Sequence, residues 1–155
     1  KISTEQNKQR LLSQLRIQNL SKIIYTARDL WNILEWLYDD SQKFFLDLLW
    51  EDFIKQVFLS TNEIIIILYY LSDKNKDYLM NILWLSWVKY KIKTNTNFLE
   101  MYKFLSDNYA KKMLKLYTLD EFKSLFNSNI DFHNFLLKLP KSKEKILLNH
   151  FNIWQ

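Results

Sequence analysis

The chain has 155 residues, 48% of them apolar, and a net charge of +5. A chain of this length buries roughly two thirds of its unfolded surface, enough for a core without metals or cross-links. Cysteine and glycine are both absent, which excludes disulfide frameworks, thiolate metal sites, Gly-rich phosphate loops and nucleophile elbows.

The first residue is Lys1, and the segment after it lacks the apolar core of a secretory signal, so the chain is expected to be a piece of a larger protein. The longest apolar run, residues 64–71, has eight residues, whereas a bilayer-spanning helix needs about 20. No transmembrane segment is expected. Charge is distributed unevenly along the chain. Residues 1–28 carry six basic and one acidic side chain (+5), residues 29–73 two and nine (−7), and residues 74–155 fourteen and seven (+7).

From residue 26 onward the chain falls into blocks of 34. Leu30, Ile64, Phe98 and Phe132 form one column, followed by Ile33, Ile67, Met101 and Phe135, then Leu34, Leu68, Tyr102 and Leu136, then Leu37, Leu71, Leu105 and Leu139. Offsets of three, four and seven are the buried stripe of an α-helix, and a strand would alternate by two. A second stripe runs through Phe45, Leu79, Met113 and Leu147, then Leu46, Met80, Leu114 and Leu148, then Leu49, Leu83, Tyr117 and Phe151. Random placement at this composition would make about one column in twenty wholly apolar. Seven are, all at helical spacing.

Each first helix opens on a hydroxyl, at Thr26, Ser60, Thr94 and Ser128, with Asp29, Glu63, Asn97 or Asp131 three residues later. This is a capping box or a close relative, in which the hydroxyl satisfies an orphan amide and the acid reaches back. Short polar links at Asp39, Asp73, Asp107 and Pro140 lead into the second helices. A third, short helix is expected around Phe53, Ile54 and Val57, around Trp87, Val88 and Ile92, and around Phe122, Leu125 and Phe126. Leu11, Leu12 and Leu15 stand 34 residues before Phe45, Leu46 and Leu49 and read as a second helix without its first. The expected fold is therefore all-α: a single domain forming an α-solenoid of four 34-residue repeats (26–59, 60–93, 94–127 and 128–155) plus an N-terminal half repeat (1–25). One such unit cannot bury its own stripes, so neighbours must stack.

The segments DLWNILEWL (residues 29–37) and DFHNFLLKLP (residues 131–140) resemble the leucine-rich helical repeats of secreted effector proteins of Legionella-type intracellular bacteria. The resemblance covers nearly the whole chain. It implies a non-catalytic, partner-binding segment, delivered into a host cell or otherwise cytosolic, and it carries over no functional residue. Tetratricopeptide repeats share the period, but they need Gly and Ala where these columns hold Leu, Ile and Phe.

The functional expectation is a protein–protein interaction scaffold rather than an enzyme, with no cofactor or metal. Trp36, Tyr70 and Phe104 occupy one column beside Leu37 and its equivalents. They either widen the core or line a strip that grips a peptide or partner helix, since aromatics dominate interface hot spots. Trp50 and Trp84, also 34 apart, read as core. A basic surface is expected at Lys89, Lys91, Lys93, Lys111, Lys112 and Lys115, with further lysines at 138, 141, 143 and 145. Interleaved with aromatics, it would suit a phosphate backbone or an anionic membrane, which makes a nucleic-acid-binding solenoid the alternative, beside a regulatory domain of a larger enzyme. Arginine is absent after Arg28, which weighs against base-reading forks. His133 and His150 read as ordinary, partly buried histidines, and Asp39–Asp40 and Glu51–Asp52 as capping or solvated carboxylates.

Overall fold

The computed structural model describes residues 4–14, 17–49 and 51–153, and these are helical with short links and no strand. The chain divides into two compact units, Lys1–Leu83 and Trp84–Gln155.

The first unit begins with α1 (Thr4–Gln14) and α2 (Ile17–Leu20), followed by α3 (Ala27–Trp36), α4 (Asp39–Leu48), α5 (Glu51–Val57), α6 (Thr61–Tyr70) and α7 (Asp73–Leu83). Within it α3 packs on α6, α1 on α4, α4 on α7, and α5 on α7. Leu30 and Leu34 from α3 meet Ile64, Ile67 and Leu68 from α6 in a fully buried layer, while Phe45, Leu46, Leu79 and Met80 form the layer between α4 and α7. Each such side chain contributes about 1.5–3 kcal/mol by leaving water.

The second unit contains α8 (Leu85–Lys91), α9 (Asn95–Phe104), α10 (Asp107–Leu114), α11 (Leu119–Lys123), α12 (Asn129–Leu137) and α13 (Lys141–Phe151). Here α10 packs on α13 and on α8. The core is strongly aromatic. Phe98 stacks on Tyr102 at 5.2 Å, and Phe122 meets Phe98 edge-on at 5.2 Å and stacks on Phe151 at 4.8 Å. Burial, reinforced by the carboxylates of Asp107 and Glu121 respectively, pushes the phenols of Tyr102 and Tyr117 upward, so both stay neutral.

Helix starts recur at one spacing in both units: 27, 61, 95 and 129; 39, 73, 107 and 141; 51, 85 and 119. The hydroxyl caps explain the first set. Thr26, Thr94 and Ser128 adopt extended backbone and accept from the amides of Asp29, Asn97 and Asp131 at 3.3, 3.1 and 3.1 Å. Glu63 replaces part of this at Ser60, accepting from the amides of Leu59 and Ser60 at 2.6 and 2.8 Å. Where an acid closes the box, its own ionisation is favoured. Hydrogen bonds from the Thr26 hydroxyl and the Tyr25 and Thr26 amides hold the Asp29 carboxyl below its ordinary value.

Polar bonds also recur at one period. Lys8 Nζ donates to the Trp36 carbonyl at 2.5 Å, and Gln42 Nε2, 34 residues on, donates to the Tyr70 carbonyl at 3.4 Å. Asn75 Nδ2 donates to the Asp39 carbonyl at 2.8 Å, and Lys143 Nζ, two periods on, donates to the Asp107 carboxylate at 2.7 Å. Buried positions so placed must find acceptors, and the free carbonyls and acids at helix ends supply them.

Three expectations require correction. Leu11 is 57% exposed, although Phe45 and Leu79 in its column are buried; α1 turns Leu12 inward instead. Trp84 is 60% exposed, because it forms the link before α8, with φ 60° and ψ 120°, after Leu79, Met80 and Leu83 have already filled the inner face of α7. His133 and His150 are both exposed, on the outer faces of α12 and α13. Leu15 and Trp50 lie outside the described residues.

Candidate functional site

The first unit carries an aromatic surface on the α3–α6 pair. Because α3 and α6 share one register, Trp36 and Tyr70 close their respective helices at equivalent positions. Trp36 is 52% and Tyr70 38% exposed, so neither is buried between the helices. Beside them Tyr38, Ile66 and Tyr69 are also exposed. Tyr70 lies 5.2 Å from the Trp31 ring and 5.1 Å from Tyr69. Together with Ala27 and Ile66, Trp31 and Tyr70 wall a groove of about 400 Å³ with Arg28 and Glu63 in its lining. Trp36 stands outside that lining. Its ring and that of Tyr38 flank the Lys8 ammonium at 4.8 and 4.4 Å, an arrangement that holds both rings in place by cation–π attraction. The indole N–H of Trp31 is buried without a hydrogen-bond partner.

Phe104, the third member of the column, belongs to the second unit and is half-buried at the end of α9. The aromatic surface described here consequently consists of the first-unit residues alone. Ile66, Tyr69 and Tyr38 were not singled out by the column pattern. Their signal was the all-apolar run at residues 64–71, too long for one buried stripe of a helix and so bound to leave some members outside.

The lysines of the second unit separate into two groups. Lys89 is engaged in packing: its Nζ donates to the Leu116 carbonyl at 2.5 Å and to Glu121 at 3.0 Å, and lies 4.6 Å from the centre of the Tyr117 ring. Lys91 and Lys93 lie over Trp87 and Tyr90 at 5.1 and 4.3 Å. By contrast Lys111, Lys112 and Lys115 converge with Lys145 on one open groove between α10 and α13. The carboxylate pairs are accounted for by helix starts, Asp39 and Asp40 in the first turn of α4 and Glu51 and Asp52 in that of α5, where the macrodipole favours them. Among the described residues no group of three or more His, Asp or Glu side chains could hold a metal ion, and no helix is long and apolar enough to cross a membrane.

No family model, curated protein or solved structure matches this chain. The chemistry of its two surfaces therefore has to carry the functional reading.

Proposed function

We propose that this protein is a helical-repeat scaffold, an α-solenoid of four 34-residue units with a leading half unit, that binds a partner protein through the aromatic surface of α3 and α6. The observation that carries the reading is the exposure of Trp36, Tyr38, Ile66, Tyr69 and Tyr70 on one pair of packed helices. Scattered apolar residues are ordinary on a protein surface, but a contiguous aromatic patch beside a groove marks an interaction site. The solenoid itself is supported by the common spacing of helix starts and by the equivalent bonds of Lys8 and Gln42 to the ends of the following helices.

The partner best suited to this surface is an amphipathic helix or peptide with apolar anchors and basic flanks. Residues 29–73 carry nine acids against two lysines, and Glu35, Asp39, Asp40 and Asp47 stand exposed around the aromatic patch or on the adjacent α4. Complementary charge would steer such a partner and fix its orientation. The resemblance to Legionella-type effector repeats extends the proposal to a segment that engages a host protein.

The test is affinity capture from lysate with and without nuclease, comparing the native chain with Trp36→Ala/Tyr70→Ala. Both side chains are substantially exposed, so the variant should keep its helical content. A nuclease-resistant protein, retained by the native chain and lost at least about tenfold by the variant, is the expected result. Equal retention by both would overturn the assignment of this face.

A further inference from the structure

The groove between α10 and α13 concentrates cations that the fold does not use. On α10, Asn108, Lys111, Lys112 and Lys115 follow at offsets of three, four and seven and so share one face, opposite the buried Ala110, Met113 and Leu114. On α13, Lys145 and Asn149 share a face one turn apart, with His150 beside them, against the buried Lys143 and Leu147. Packing of α10 on α13 sets the two polar faces side by side around a cavity of about 590 Å³. This lies within the range of small-molecule sites.

Nothing in the unit compensates that charge. The nearby acids are already engaged, Asp107 by Lys143 at 2.7 Å and Glu144 by Lys141 at 2.8 Å. Lys111, Lys112, Lys115 and Lys145 form no ion pair among the described residues. The macrodipole favours lysine in the last turn of α10, yet it disfavours Lys145, which stands in the first half of α13. The imbalance is also regional. Residues 84–155 hold twelve lysines, no arginine and six acids, whereas residues 1–83 hold ten basic and eleven acidic side chains. Like charges gathered in one concavity repel, and an anion of matching size removes that repulsion.

We propose that this groove binds a compact polyphosphorylated ligand, its clustered phosphates held by Lys111, Lys112, Lys115 and Lys145 and its free oxygens by Asn108 and Asn149. The same chemistry occurs in a free polyphosphate and in the headgroup of a polyphosphorylated lipid. A long nucleic-acid strand fits less well. It needs a row of cations, and Lys89, Lys91 and Lys93 are already occupied by Glu121 and by aromatic rings.

Isothermal titration calorimetry of the full chain with inositol hexakisphosphate provides the test. One saturable site is expected, weakened about tenfold for each lysine removed, so that Lys111→Gln/Lys115→Gln/Lys145→Gln loses binding by roughly a thousandfold. A control with the same charge change outside the groove, Lys93→Gln/Lys123→Gln/Lys138→Gln, should bind within a few-fold of wild type. Circular dichroism verifies that both remain helical. Sedimentation with phosphatidylcholine vesicles, with and without phosphatidylinositol bisphosphate, distinguishes the sources: retention only on the phosphorylated vesicles points to the headgroup, and binding of the free compound alone to a soluble ligand. No heat with inositol hexakisphosphate and no vesicle retention would overturn the proposal. So would equal weakening by both triple variants, which signals net charge alone, or a single-stranded oligonucleotide whose binding tightens with length and excludes the inositol phosphate.

Discussion

Replacing Gln42 by leucine removes the busiest polar node in the first unit. Gln42 is 5% exposed, and its Nε2 lies within reach of three carbonyls, those of Leu34 at 3.1 Å, Leu37 at 3.3 Å and Tyr70 at 3.4 Å. Its Oε1 accepts from Asn75 Nδ2 at 3.1 Å. The loss is partial at two of these partners. Leu34 O keeps the amide of Leu37 at 3.1 Å, and Asn75 Nδ2 keeps the Asp39 carbonyl at 2.8 Å. Two bonds from Nε2 and one to Oε1, at about 1 kcal/mol each, sum to about 3 kcal/mol. The extra apolar burial of leucine returns about 1 kcal/mol, leaving a destabilisation of about 2 kcal/mol. Denaturant unfolding followed by far-UV circular dichroism measures it. In a double-mutant cycle with Asn75→Ala the two sites should couple by about 1 kcal/mol, because they share a bond. A Gln42→Leu protein as stable as the wild type would refute the reasoning and show that this buried polar cluster, like some others, is replaceable by well-packed apolar groups.

Thr26→Ala and Thr118→Ala should each lower stability by about 1 kcal/mol, as the loss of a hydroxyl cap does, while Thr96→Ala, on the exposed side of α9, stays near zero in the same denaturation assay. The Asp29 carboxyl is held low by Thr26 and Tyr25, and that of Glu121 by the Thr118 amide and by Lys89. A depressed carboxyl stabilises the fold above its unfolded pKa, and the stabilisation is lost as pH falls through the folded value. Titrating stability from about pH 6 down to about pH 3 should therefore show a fall that Asp29→Asn together with Glu121→Gln makes shallower. Trp84 holds φ at 60° with ψ at 120°, a region costly for any residue with a Cβ. Trp84→Gly should raise stability by about 1 kcal/mol, the relief of strain less the entropy of glycine, and a lowered thermal midpoint would contradict it.

Helix positions, caps and core layers were legible in the chain because each has a local cause. A hydroxyl followed three residues later by an acid starts a helix wherever it stands, and Thr26, Thr94, Thr118 and Ser128 all do so. Columns such as Leu37, Leu71, Leu105 and Leu139 are buried throughout because the i, i+3, i+4, i+7 geometry gives them no other face. The candidate surfaces were legible in part. The column of Trp36 and Tyr70 pointed to the right helices, and Lys111, Lys112 and Lys115 to the right groove.

What periodicity could not decide was the outcome wherever one helix meets another. Trp36 and Tyr70 could equally have thickened the core; only the packing of α3 on α6 leaves them outside. Lys89 and Lys115 look alike as sequence, yet Glu121 and the Tyr117 ring claim the first, and the second faces an open cavity with Lys145 from a helix 34 residues further on. Leu11 and Trp84 fit apolar columns and are exposed all the same, since a column records the face of a helix and not whether anything covers it. Local backbone chemistry thus determined the elements and their inward faces, while the tertiary structure alone decided which outward side chains neighbours neutralise and which remain available to a ligand.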